Sequence, residues 1–197
     1  SDLAELAETK EDGYGYVYYQ KGATKAIAAT EYVTLDALLA DAGASFGEGD
    51  KLAFTCSDGP YTKGDFSYET MSARGVDLDG NEVPTAVAIT WNSGELTEDV
   101  TVADIAATAY NSGSLRFVSG MTAEEKENGS AAGNRMPSGV VSITVVKPVK
   151  MPFADVKEDS YYEDSVLWAF MTNVTVGTTD TTFSPDDECT RAQAVTF

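Results

Sequence analysis

Tyr14-Gly15-Tyr16-Val17-Tyr18-Tyr19-Gln20, followed by Lys21-Gly22 and then Thr24-Lys25-Ala26-Ile27-Ala28-Ala29, is the stretch from which the fold can be read. Aromatic and β-branched residues suit a pleated, half-buried strand, and Lys-Gly between two such runs is a turn signal, so the segment predicts a β-hairpin. Immediately downstream the period changes. Leu35, Leu38, Leu39 and Ala42 recur at helical spacing, Thr34 stands where a hydroxyl caps a helix start, and Gly43 stands where glycine ends one. Strand-like runs return at Lys51–Cys56, 86–91, 114–119 and Val140–Val146. In the first, Leu52, Phe54 and Cys56 alternate with Lys51, Ala53 and Thr55, the pattern of a strand with one buried face. The last is apolar on both faces, which predicts a strand covered on both sides. The fold class expected is α+β: a mixed N-terminal domain with several strands and few short helices, then a small, partial, all-helical module.

The intervals between these runs are rich in turn formers: Ser57-Asp58-Gly59-Pro60, Asp77-Leu78-Asp79-Gly80-Asn81 and Asn111-Ser112-Gly113. Residues 121–138 are charged, then rich in Gly, Ala and Ser, and read as a long surface loop with a helical turn at 123–127. Lys147-Pro148-Val149-Lys150-Met151-Pro152 holds two prolines in five residues, each removing a backbone donor and pushing its predecessor toward extended geometry. A domain over 1–148, a linker at 149–152 and a module over 153–197 follow.

Composition narrows the function. With 32 acidic against 13 basic residues the chain carries a net charge of -19, which repels phosphate backbones and anionic headgroups and argues against nucleic-acid partners. No run approaches the roughly 18 apolar residues that span a bilayer, and no charged-then-apolar leader opens the chain, so it is read as soluble, without membrane insertion, any export signal having been removed or never included. There is no histidine, which removes the usual Ser-His-Asp and Cys-His arrangements and most catalytic zinc sites. Cys56 and Cys189 fall in different domains and are read as free, buried thiols.

From Pro152 the order is Phe153-Ala154-Asp155-Val156, an acidic turn, a helical run with Tyr162, Val166, Ala169 and Phe170 on one face that Asp159 or Ser160 would cap, then Val174-Thr175-Val176-Gly177, Thr182-Phe183-Ser184-Pro185 and Thr190-Arg191-Ala192-Gln193. This order resembles the S-layer homology family, with its Phe-x-Asp-Val opening, Trp-Ala helix, Ile-x-x-Gly, Thr-Phe-Ser-Pro turn and Thr-Arg-Ala-Glu hallmark. The resemblance implies an extracellular place in a bacterial cell wall or S-layer. The partner implied is a secondary cell-wall polysaccharide or peptidoglycan-associated polymer. Arg191 would meet the polymer's negative groups, with Thr190 and Gln193 beside it, Thr190 also serving as a helix cap. Gln193 departs from the family's glutamate, and the chain stops within the second helix, so the module is read as truncated; further modules are expected in the full-length protein, without their place relative to Phe197 being assigned. Trp168 and Phe183 are read as core residues.

The N-terminal domain also resembles, in patches, the sulfite-oxidase-like molybdopterin-binding fold. The matching elements are Val33 to Gly43, Leu52-Ala53-Phe54-Thr55-Cys56-Ser57-Asp58-Gly59, the strand from Ala86 to Gly94 and Leu115-Arg116-Phe117-Val118-Ser119-Gly120. The family's molybdenum-ligating cysteine has no counterpart here, and Ala131-Ala132-Gly133-Asn134-Arg135 carries alanine where the thiolate belongs. No catalytic residue, cofactor or metal ligand is assigned. Asp77-x-Asp79-Gly80-Asn81 lacks the ligand pattern of a calcium loop and reads as a hairpin turn. Tyr16, Tyr18 and Trp91 are a candidate aromatic surface for a sugar, against the plainer reading of alternating tyrosines on an edge strand. The function expected is a wall-anchored surface protein with a non-enzymatic display or ligand-binding domain. The alternatives are an exported oxidoreductase related to molybdopterin enzymes, and a structural stalk or adhesin unit.

Overall fold

Strand β1 (Glu8–Gln20) turns at Lys21 and Gly22 into β2 (Ala23–Thr34), with Gln20 opposite Ala23. Both turn residues have positive φ, 53° and 81°, the type I′ geometry whose twist matches that of the strands it joins. A computed structural model of the chain describes residues 2–130 and 132–188. It divides into two compact units, Ser1–Pro148 and Val149–Phe197.

The first unit is α+β. Between α1 (Leu3–Leu6) and the turn-rich middle of the chain lie the hairpin, α2 (Leu35–Asp41), β3 (Lys51–Cys56), β4 (Gly59–Tyr61) and α3 (Tyr68–Ser72). Then follow β5 (Gly75–Val76), β6 (Glu82–Val83), β7 (Ala86–Glu95), α4 (Val102–Ala106), β8 (Arg116–Val118), α5 (Ala123–Asn128) and β9 (Val140–Val146). Three antiparallel sheets result, in the orders β1-β2-β7-β8, β4-β3-β9 and β5-β6. Thr34 caps α2 through the Ala37 N–H at 3.2 Å, and Gly43 leaves it at φ 60°.

One face of the large sheet buries Tyr16, Ile27, Val118, Met121 and Met136. Its other face carries Ala26 and Ala28, against which α4 packs Ile105 and Ala106. Small residues permit that approach: a Cβ added at Gly15 would fall 2.6 Å from Val102, too close for any side chain there. A second core joins α2 to the small sheet through Leu35, Leu52, Phe54, Phe66 and Phe117. Between β5 and β6, the Asp77 carboxylate accepts the N–H groups of Asp79 and Asn81, each at 2.9 Å, and closes the turn.

Two expectations are overturned here. Residues 121–138 are not merely a surface loop, because Met121, Ala132 and Met136 are buried in the main core. Glu125 in α5 anchors the segment, accepting both Nη groups of Arg135 at 2.6 and 2.5 Å. Strand β9 is not covered on both sides. It lies at the edge of its sheet, and only the face shared with Leu52, Phe54 and Cys56 packs inward, leaving Val141 69% exposed. Just beyond β9, Lys147 donates to Asp50 at 2.6 Å and to the Ser45 carbonyl at 2.7 Å, and Asp50 also accepts the Gly47 N–H at 2.7 Å.

The second unit is built on Phe153, Val156 and Val166, with Tyr162, Phe170 and Phe183 packed against them. Its described part holds one helix, α6 (Glu163–Met171). The expected cap from Asp159 or Ser160 does not form. Glu163 instead accepts the Asp159 N–H at 2.6 Å, and Asp159 takes φ 60°. Trp168 is 61% exposed, contrary to its reading as a core residue. Val166 and Phe170 are one helical turn apart and face inward, and Trp168, two residues from each, points the other way.

Candidate functional site

The proposed aromatic surface does not exist as a surface. Tyr16 is fully buried and its hydroxyl has no partner, while Tyr18 is 7% exposed. Both point into the core beneath the sheet, because β1 has a face to bury even though it is an edge strand. Burial pushes the Tyr16 phenol far above its ordinary pKa, with Tyr32 and Tyr14 adding to the effect. Trp91, on β7, is half-buried, and its indole N–H donates to the Ser114 carbonyl at 2.9 Å, which fixes the ring.

What the sequence did not single out is the residue over that ring. Arg116, on β8 beside β7, places its guanidinium carbon 4.9 Å from the centroid of Trp91. Its Nε is buried without a hydrogen-bond partner, and among the described residues no carboxylate pairs with it. Burial lowers its pKa, and only the phenols of Tyr18 and Tyr61 act in the opposite sense. Tyr61, on β4, donates its hydroxyl to the Asn134 carbonyl at 3.0 Å and so ties the segment after α5 to this corner. The available signal was a lone arginine in an apolar run of an acidic chain, and sequence cannot show whether such a cation finds a partner.

Cys56 is buried and free, and burial, with the Asp58 charge, pushes its thiol up, away from the thiolate that nucleophilic or metal chemistry needs. Among the described residues no three of His, Cys, Asp and Glu converge as a metal site, and no helix is long and apolar enough to cross a membrane.

In the second unit, Thr190, Arg191, Gln193 and Cys189 lie outside the described residues. The frame leading to them is defined. Asp155 accepts the N–H groups of Phe183 and Ser184 at 2.8 and 2.7 Å, and Ala154 donates to the Thr181 carbonyl at 2.8 Å. Gly177, at φ 79°, lies against Phe153, and a Cβ there would fall 2.6 Å from the Thr182 carbonyl. The phenylalanine and aspartate of the opening motif, the later glycine and the Phe-Ser-Pro turn are thus one interlocked unit.

Residues 152–195 match the family model of the S-layer homology domain. No curated protein and no solved structure matches the chain. The module supports a cell-surface protein anchored to the cell wall, with a cell-wall polymer as its partner. Of the residues that carried the resemblance in sequence, Phe153, Asp155, Val156, Gly177 and Phe183 help to hold the described part of the second unit together.

Proposed function

We propose that the chain belongs to a secreted bacterial surface protein held non-covalently on wall polysaccharide through its S-layer homology module, with residues 1–148 as a non-enzymatic display or ligand-binding domain. The match over 152–195 carries this reading. Charge sharpens it. A chain of net charge -19 is repelled by an anionic polymer, so attachment has to be concentrated at a few cations, and after position 151 only Lys157 and Arg191 are basic. Arg191 is the better candidate, because a guanidinium fork pairs with a carboxylate or phosphate through two hydrogen bonds. Thr190 would cap the second helix of an all-helical module and present Arg191 on its first turn, with Gln193 near it.

The test is co-sedimentation with purified cell wall. Arg191→Ala, in a protein that also carries neighbouring modules, is expected to weaken binding about tenfold or more, the loss of a charge-assisted contact. One module alone lacks the avidity of repeated sites and is expected to bind weakly. Undiminished binding by the Arg191→Ala protein would move the site elsewhere.

A further inference from the structure

We infer that Arg116, stacked on Trp91, is the anchor of a carboxylate-binding site in the first unit, a site separate from the wall module. The chain has 19 more acidic than basic residues, yet this arginine pairs with none of them among the described residues. The contrast with Arg135 is direct. Arg135 is comparably enclosed and is held by both oxygens of Glu125. The Nε of each is buried without a partner, but where the two Nη groups of Arg135 meet a carboxylate, Arg116 has an aromatic face below it, two phenols beside it and no carboxylate among the described residues.

A guanidinium keeps its charge at neutral pH, so withdrawing it from water without a counter-charge is costly, and a fold under no other demand would supply a carboxylate or an apolar residue instead. Its surroundings are also fixed. Trp91 is pinned through Ser114, and Tyr61 through Asn134, so the aromatic groups around the fork are held in place before any ligand arrives. The geometry selects the ligand class. A planar fork takes a carboxylate through two parallel hydrogen bonds, and a monoanion cancels the single positive charge. A dianionic phosphate would leave excess negative charge in a strongly acidic protein. Stacking already occupies one face of Trp91, so recognition rests on the anionic group and not on an aromatic platform.

The experiment follows the Arg116 Nε–H and Trp91 indole N–H resonances of the full chain by 15N NMR, with Trp168→Phe to assign the two indoles. The probes are sodium glucuronate, its neutral counterpart glucose, and inorganic phosphate. Glucuronate is expected to shift both resonances saturably, glucose to leave them unmoved, and phosphate to act more weakly at equal concentration. Arg116→Gln is expected to weaken glucuronate binding about tenfold or more, and Arg116→Lys, which keeps the charge but loses the fork, to weaken it less. Arg116→Gln is also expected to melt at or above the temperature of the parent, since it removes a partly buried charge that no carboxylate compensates among the described residues; a purely structural arginine would give a lower melting temperature. No saturable shift in the parent protein, an unchanged shift in Arg116→Gln, or an equal or stronger response to phosphate would overturn the assignment. The parent titration decides the matter even if a variant fails to fold.

Discussion

Gly177 and Asp155 show how much of the second unit rests on single atoms. At φ 79° an alanine would be strained, and its Cβ would meet the carbonyl of Thr179 and that of Thr182, which backbone hydrogen bonding holds in place. Gly177→Ala is therefore expected to cost about 2 kcal/mol or more and to leave residues 149–188 protease-sensitive while the first unit stays intact. Asp155 is the pH-sensitive member of the pair. The Phe183 N–H, more than any other group, holds its carboxyl below the ordinary range, with Ser184 adding to it. A depressed carboxylate contributes stability that is fully present above its unfolded pKa of about 3.9 and is lost as pH falls through the lower folded value. Fluorescence of Trp168 should report loosening of this unit in that acid range, and Asp155→Ala should loosen it already at pH 7. The motif that announces these residues is visible in sequence. Their bonds, Asp155 to residues 28 and 29 positions away, are not.

Among the elements, those with a strong local signal were the ones legible in advance. The hairpin of β1 and β2 follows from its aromatic run and its two-residue turn, and α2 from Thr34, its leucine spacing and Gly43. The turn also carries a correctable cost, because Lys21 at φ 53° occupies a region that asparagine or glycine adopts more readily. Lys21→Asn should gain about 0.5–1 kcal/mol and raise the melting temperature by a few degrees, as calorimetry would show. Strand β9 was misread for a physical reason: six apolar or β-branched residues out of seven, Ser142 being the exception, give no alternation from which to tell a covered face from an open one. Trp168 was misplaced because an aromatic residue on a short helix reads as core unless the inward stripe of Val166 and Phe170 is given priority. Pattern could mark Arg116 only as a lone arginine in an apolar run, since what distinguishes it is the lack of a carboxylate partner in space among the described residues.

At the scale of the whole molecule, the division at Pro148 predicts that the first unit folds by itself. Limited proteolysis should cut within 147–150 and leave a stable core over the preceding residues, and rapid loss of that core would show that it depends on the second unit. The α+β character of the first unit and the identity of the C-terminal module were legible because each is written in many residues at once. The ligand side of the first unit was not, because the tyrosines that suggest a surface are spent on the core.

The bonds between Lys147 and the Ser45–Asp50 loop lie at the point where the first unit hands its chain to the segment leading toward the wall module. A protein tethered to a wall and exposed to flow is under tension, and force arriving through Pro148 meets Lys147 before it reaches the ladder between β9 and β3. Lys147 then acts as a strain relief, passing load into the loop before β3 instead of peeling the edge strand residue by residue. Pulled through its C-terminal end, the parent chain should release β9 at a higher force than Lys147→Met. Acid should abolish the difference, because the Lys147 hydrogen bond, the main cause of the low pKa of Asp50, is lost when that carboxylate takes up a proton.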